Sequence, residues 1–164
     1  MRVLGIDPGL RITGYACVEP GGRTGTRLVE AGVIRLAPAG KAPSVSTRLA
    51  ELDRDVRALL DRLRPDLAAV EALFAHPTHP ATAITMAHAR GVILLAIAQR
   101  AIPLAELRPA EVKKSLTGSG RAQKSQMQRA IQAVFDLPKP PSPPDVADAL
   151  AIAATALARA GARV

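Results

Sequence analysis

Residues 2–9, Arg2-Val3-Leu4-Gly5-Ile6-Asp7-Pro8-Gly9, lead directly into the apolar run Thr13-Gly14-Tyr15-Ala16-Cys17-Val18, and the two runs read as strands joined by a turn. Pro8 and Gly9 turn the chain away immediately after the carboxylate of Asp7, which leaves that carboxylate at the open end of its strand. Leu28 to Leu36 is a third β-prone run, set off by Gly21, Gly22 and Gly25, so the first third of the chain is expected to be an antiparallel meander. An Asp before Pro-Gly is often only a turn former. Its meaning depends on what the rest of the chain brings to the same edge.

After the meander the period changes. Leu49, Leu52, Val56, Leu59, Leu60 and Leu63 recur at helical spacing, with Asp53, Arg54, Arg57, Asp61 and Arg64 on the opposite face, and Pro65 stops the helix. Leu67 to Glu71 reads as a buried strand, and Ala81 to Arg100 as an Ala-rich helix expected to pack centrally. Ile102 to Leu107 is a fifth strand. Pro109 then opens a short helix to about Leu116, and Met127, Ile131, Val134 and Phe135 mark an amphipathic one. A Pro-rich stretch, 138–144, precedes a last helix from Asp145 to about Ala160. This order implies an α/β protein with a five-stranded mixed sheet, three antiparallel strands followed by parallel ones, flanked by helices in one domain over residues 1–164.

Lys and Arg number 22 against 14 Asp and Glu, a net charge of +8, which favours a polyanionic partner. No Trp, one Tyr and two Phe give poor support for a platform that stacks successive single-stranded bases, so duplex shape and phosphates are the expected target. The lone Cys17 forms no internal disulfide, and the best apolar run, Gly91 to Ala98, falls far short of the ~20 residues that span a bilayer. The expectation is a cytoplasmic protein with no membrane partner.

Glu71 closes the apolar run Leu67-Ala68-Ala69-Val70 much as Asp7 closes Val3 to Ile6. With the first and fourth strands as parallel neighbours, both carboxylates emerge at the C-terminal edge, where α/β sheets place ligands. Asp145 and Asp148, spaced i, i+3 at a helix start, share a face. Dipole capping explains Asp145 readily, whereas Asp148, set among Ala147, Ala149 and Leu150, reads as a partly buried carboxylate needing a counter-charge. Four carboxylates without Cys ligands suit Mg²⁺, with Mn²⁺ as a substitute, rather than structural zinc. Two such ions would clamp a phosphodiester, with Asp7 expected to bridge them.

Cations gather at Lys113, Lys114, Arg121, Lys124 and Arg129 around the loop Thr117-Gly118-Ser119-Gly120, whose amides and flanking side chains are expected to grip phosphates. Phe74, in a loop three residues after Glu71, suits either an aromatic anchor for the loop or a wedge against a base pair. His76 and His79 are flanked by prolines and read as loop residues rather than a zinc pair, and His88 as a packed or hydrogen-bonded helix residue.

Taken together, Gly5-Ile6-Asp7-Pro8-Gly9 with Thr13-Gly14-Tyr15, Glu71-x-x-Phe74, Ala89-Arg90-Gly91, Val112-Lys113, Lys124-Ser125-Gln126, and Asp145-x-x-Asp148-Ala149-Leu150-Ala151-Ile152-Ala153 resemble the RuvC Holliday-junction resolvases in the right order over nearly the whole chain. The resemblance implies a ribonuclease-H-like fold and a metal-dependent endonuclease that makes paired symmetric nicks in four-way DNA junctions during recombination and repair. It also implies a homodimer and partnership with the RuvA–RuvB branch-migration complex. It assigns catalysis and metal binding to Asp7, Glu71, Asp145 and Asp148, and DNA contact to Phe74, Lys113 and Lys124. The chain departs from the family pattern at Ala72, where relatives carry a polar residue, and at Asp145, where some carry His.

Three other readings share parts of this pattern. Actin-like and sugar-kinase ATPases also open with a strand ending in Asp before a Gly turn, but they need two lobes, and 164 residues hold no second phosphate loop. A module that binds junctions without cutting them gains nothing from acidic groups beside phosphate. A nuclease of RNA–DNA hybrids uses the same carboxylates, and only the family motifs and Phe74 separate it from a junction resolvase.

Overall fold

In the computed structural model, residues 1–37, 40, 42–72 and 80–162 are described; Phe74, His76 and His79 lie outside them. Strands β1 (Val3–Asp7), β2 (Ile12–Pro20) and β3 (Thr26–Arg35) form the antiparallel meander. Helix α1 (Val45–Leu63) leads to β4 (Leu67–Glu71), which pairs in parallel with β1, and α2 (Pro80–Ala98) leads to β5 (Leu104–Leu107), parallel to β4. Helices α3 (Pro109–Thr117), α4 (Lys124–Phe135) and α5 (Pro144–Gly161) follow. The sheet order is β3-β2-β1-β4-β5, the mixed five-stranded sheet expected from the order of elements.

Strand alternation sorts the side chains to two faces. Leu4, Ile6, Cys17, Ala68 and Val70 face a core built with α1 and α2. Val3, Ala16, Val18 and Ala69 face a second core built with α5, alongside residues of α3 and α4. The helix that lies across the sheet is therefore α5, which touches all five strands and is buried almost continuously from Val146 to Leu157. The expectation that the 81–100 helix is central is corrected: α2 packs chiefly on α1 and leaves Ile84 and Leu95 exposed at 60% and 53%. Its all-round apolar composition reflects an open outer face.

The ends of elements have local causes. Helix α1 begins four residues before Leu49 because the Ser44 side chain accepts a hydrogen bond from the Thr47 N–H at 3.2 Å. It ends with Arg64 in the left-handed conformation, one residue before Pro65. Strand β5 is shorter than 102–107, since Ile102 is still bonded back to Ile97 at the end of α2.

Candidate active site

Asp7 has the same parity as Val3 and Gly5 on β1, and Glu71 the same parity as Leu67 and Ala69 on β4. Both carboxylates therefore belong to the α5 face of the sheet. They stand one position beyond the Ile6–Val70 pair, at the C-terminal edge. Two glycines let α5 come close enough to meet them. A Cβ on Gly5 would come within 2.5 Å of the Ala149 carbonyl oxygen and of the Ala153 nitrogen, and one on Gly14 within 2.1 Å of the Asp145 carbonyl oxygen. Gly14 is also the cross-strand partner of Asp7. The register of β1 on β2 and the seating of α5 on β2 thus bring Asp145 toward Asp7.

The turn after Asp7 is fixed by Thr13, which is fully buried. Its hydroxyl donates to the Gly9 carbonyl at 2.7 Å and accepts the Gly9 N–H at 3.2 Å. Pro144 supplies the first residue of α5, so Asp145 sits in the first turn and Asp148 one turn below it.

Burial, together with the charges of Asp148, Glu71 and Asp145, pushes the pKa of Asp7 up to about 8. Glu71 is raised by burial and by Asp148, against an opposing effect of Lys113. Asp148 is raised by desolvation even though it is open to solvent, while Lys124 and Lys113 act in the opposite direction and Asp145 adds to the rise. The carboxylate of Asp148 is thus partly desolvated on a residue that is otherwise exposed, and the counter-charges expected for it are present. Among the described residues no three Asp, Glu, His or Cys side chains are drawn together as a ready cage for a metal ion. The four carboxylates act on one another through their charge at this edge, with Lys113 and Lys124 opposing them.

The donor chemistry fits a hard divalent cation. Every candidate ligand is a carboxylate oxygen, and a bound cation would oppose the burial and like charges that raise the pKa of Asp7.

The basic residues divide into two groups. Lys113 on α3 joins Glu71, Val112, Met127, Asp148 and Ile152 in lining a small cleft beside the carboxylates, and Lys124 at the start of α4 acts on Asp148. Lys114 and Arg121 are exposed and are not among the residues that line this cleft. The loop between α3 and α4 differs from the expected phosphate cradle. The N–H of Gly118 bonds the Lys114 carbonyl, that of Ser119 the Thr117 hydroxyl, that of Arg121 the Ser119 hydroxyl, and that of Ala122 the Ser119 carbonyl. The Gly118 and Ser119 amides close the end of α3 and those of Arg121 and Ala122 close the turn after it, so four of the loop's amides are engaged within the protein. His88 is exposed on α2, not packed as expected. Gly5, Gly14 and Thr13 build the site without touching its chemistry. Glycines inside β-prone runs were the sequence signal for the close approach of α5.

The chain matches the family model described as crossover junction endodeoxyribonuclease RuvC over residues 3–156. It is 48% identical over 154 residues to a crossover junction endodeoxyribonuclease RuvC from Moorella thermoacetica, covering 93% of this chain and 89% of that protein. A protein of the same name from Rhodopirellula baltica is 45% identical, with coverage of 92% and 82%. Among solved structures, Thermus thermophilus RuvC in complex with a Holliday junction substrate superposes with a TM-score of 0.86 at 32% identity, covering 98% of this chain and 96% of that one. The expected ribonuclease-H-like fold is borne out by this match and by the sheet order. The glycine-seated helix, the two strand-end carboxylates and these relatives agree: the chain belongs to the RuvC family of crossover junction endodeoxyribonucleases, metal-dependent nucleases that resolve Holliday junctions.

Proposed function

We propose that Asp7, Glu71, Asp145 and Asp148 are the catalytic ligand set with which this chain, acting as one nuclease domain, nicks four-way DNA junctions. The observation that carries the assignment is the electrostatic coupling of Asp7 to the other three carboxylates at one sheet edge. Divalent cations held there, Mg²⁺ with Mn²⁺ as substitute and two per site, supply a water of lowered pKa and stabilise the departing 3′ oxygen. Asp7 must release its proton for its oxygens to act as ligands, which favours the active form as pH rises toward 8. Lys113 and Lys124 offset the acidic cluster where phosphate has to approach, and Lys114 and Arg121 extend the positive surface outward. Phe74, three residues after Glu71, acts as the wedge that unstacks a base pair at the junction.

Paired symmetric cuts require two copies of the site, and the dimer is read onto α2. Ile84, Ala87, His88, Gly91, Leu95 and Ala98 are exposed along one side of that helix and include no Asp, Glu, Lys or Arg. A stripe of that length without a formal charge, on a chain this basic, suits a two-fold contact with a second copy. Partnership with RuvA–RuvB rests on the family resemblance. Work on chromosomal junctions belongs in the cytoplasm, and among the described residues no helix is long and apolar enough to cross a membrane.

The test is incubation with Mg²⁺ and three labelled substrates: a four-way DNA junction, linear duplex DNA and an RNA–DNA hybrid. Paired nicks in the junction alone support the reading. Cutting of the hybrid points to a ribonuclease, and binding without nicks to a recognition module.

A further inference from the structure

Among the described residues, the end of β4 is held from outside the sheet by the side chain of Arg90. Arg90, on α2, is 14% exposed, and its Nε–H donates to the backbone carbonyl of Glu71 at 3.2 Å. Its Nη2 group pairs with the carboxylate of Glu106 on β5, the residue in register with Val70. On the sheet side the Ala72 N–H reaches the Leu107 carbonyl at 2.8 Å. Glu71 thus sits at the last residue of its strand, between a β-ladder contact and a guanidinium that is oriented by a second strand.

This arrangement has a consequence for the carboxylate of Glu71. A strand end is where ladder constraints run out, and the Cα–Cβ direction of the terminal residue follows its backbone. An Arg fork fixed at one end by a carboxylate has little freedom left, so the carbonyl it holds is fixed too. A Lys at position 90 keeps the charge but has no planar fork to hold the two oxygens in a fixed relation. The planar donor geometry of Arg therefore matters here, beyond its charge.

We propose that Arg90 is a positioning residue for catalysis: by clamping the Glu71 carbonyl against Glu106, it sets the direction in which the Glu71 carboxylate meets the cations bound at the site. The inference rests on the reading of Glu71 as a ligand and adds a role for a residue outside the carboxylate set. It separates Arg90 from Lys113 and Lys124, whose charges act on the cluster directly.

The experiment compares wild type, Arg90→Ala, Arg90→Lys and Glu106→Gln in three measurements: junction affinity without divalent metal, single-turnover nicking against Mg²⁺ concentration, and the rise in Tm caused by Mn²⁺. The expected result for Arg90→Ala is a loss of roughly 10–100-fold in rate or in apparent Mg²⁺ affinity, the range typical of groups that orient metal ligands. Its Mn²⁺-induced rise in Tm shrinks, and its metal-free junction affinity stays within about twofold of wild type, a difference of ~0.4 kcal/mol. Arg90→Lys restores only part of the loss, and Glu106→Gln, which keeps the bond to Glu71, falls between wild type and Arg90→Ala. Unchanged Mg²⁺ dependence and an unchanged Mn²⁺ response in the Arg90 variants overturn the proposal. A parallel loss of junction affinity also overturns it, by making Arg90 a DNA contact. Should Arg90→Ala fail to fold, Glu106→Gln and Arg90→Lys decide the matter alone. Absence of nicking by the wild type contradicts the resolvase reading instead, and the Mn²⁺ response still judges Arg90.

Discussion

The carbonyl oxygen of Asp145 lies only 2.1 Å from where a Cβ on Gly14 would sit, so β2 and the first turn of α5 are in contact through bare backbone. Because Gly14 is also the register partner of Asp7, the spacing of two of the four carboxylates depends on the absence of one methyl group. Gly14→Ala is expected to push the start of α5 outward, lowering single-turnover nicking by at least about 10-fold with a stability loss of about 1–3 kcal/mol. Gly5→Ala, which meets the α5 backbone deeper in the protein, is expected to cost more stability than Gly14→Ala. Thermal melts and junction nicking of the two variants check the order.

The raised pKa of Asp7 makes metal-free stability depend on pH. A carboxyl whose folded pKa is about 8 holds its proton in the folded state while the unfolded chain, near 3.8, has lost it. The folded state then binds more protons at this group, so the contribution of Asp7 to stability is fully present below about pH 4, is lost as pH rises through the window up to about 8, and is gone above it. Glu71 and Asp148 are shifted upward as well and act in the same direction. In EDTA, Asp7→Asn is expected to gain about 1–2 kcal/mol at pH 7.5, or roughly 3–6 °C in Tm, while losing activity. Added Mg²⁺ should raise the Tm of the wild type more at pH 8 than at pH 6, and raise that of Asp7→Asn much less. Melting curves at the two pH values measure this.

Lys113 and Lys114 are neighbours in sequence with different surroundings. Lys113 lines the cleft with Glu71 and Asp148, whereas Lys114 is exposed and does not line it. Lys114→Ala is expected to weaken junction binding and to reduce the slope of log affinity against log salt by about 1. Lys113→Ala is expected to lower the nicking rate of bound junction further than its affinity falls. Binding isotherms over a salt series, paired with single-turnover rates, separate the two.

The uncharged stripe on α2 predicts the assembly state. Leu95 is 53% exposed with no charged residue beside it on that face. Leu95→Glu is expected to shift the chain to a monomer in sedimentation, since like charges then meet across the two-fold contact. The monomer should leave junctions nicked on one strand only.

Much of this site was legible in the sequence because strand ends and helix starts are marked by chemistry that interrupts an apolar pattern. Asp7 and Glu71 break runs that would otherwise continue into the core, and Asp145 and Asp148 stand in the first turns of α5, as read. The roles of the two long apolar helices were harder to assign. Both α2 and α5 are rich in Ala, and composition does not say which one lies across all five strands; Gly5 and Gly14 let α5 approach on one face, while α2 packs with α1 on the other. The loop at 117–121 has the residues of a phosphate cradle, yet the amides of Gly118, Ser119 and Arg121 are engaged in closing α3 and the turn after it, a competition that glycine content cannot reveal. Arg90 appeared in the sequence only as part of a motif, since its partners lie 19 and 16 residues away and meet it through the fold.

The most direct test of the four-carboxylate site is single-turnover nicking of a four-way junction in Mg²⁺ by wild type, Asp7→Asn, Glu71→Gln, Asp145→Asn and Asp148→Asn, with junction affinity measured alongside. The account predicts paired nicks by the wild type and a fall of at least about 100-fold in each variant with binding retained. Nicking at the wild-type rate by the Asp7 or Glu71 variant would contradict it.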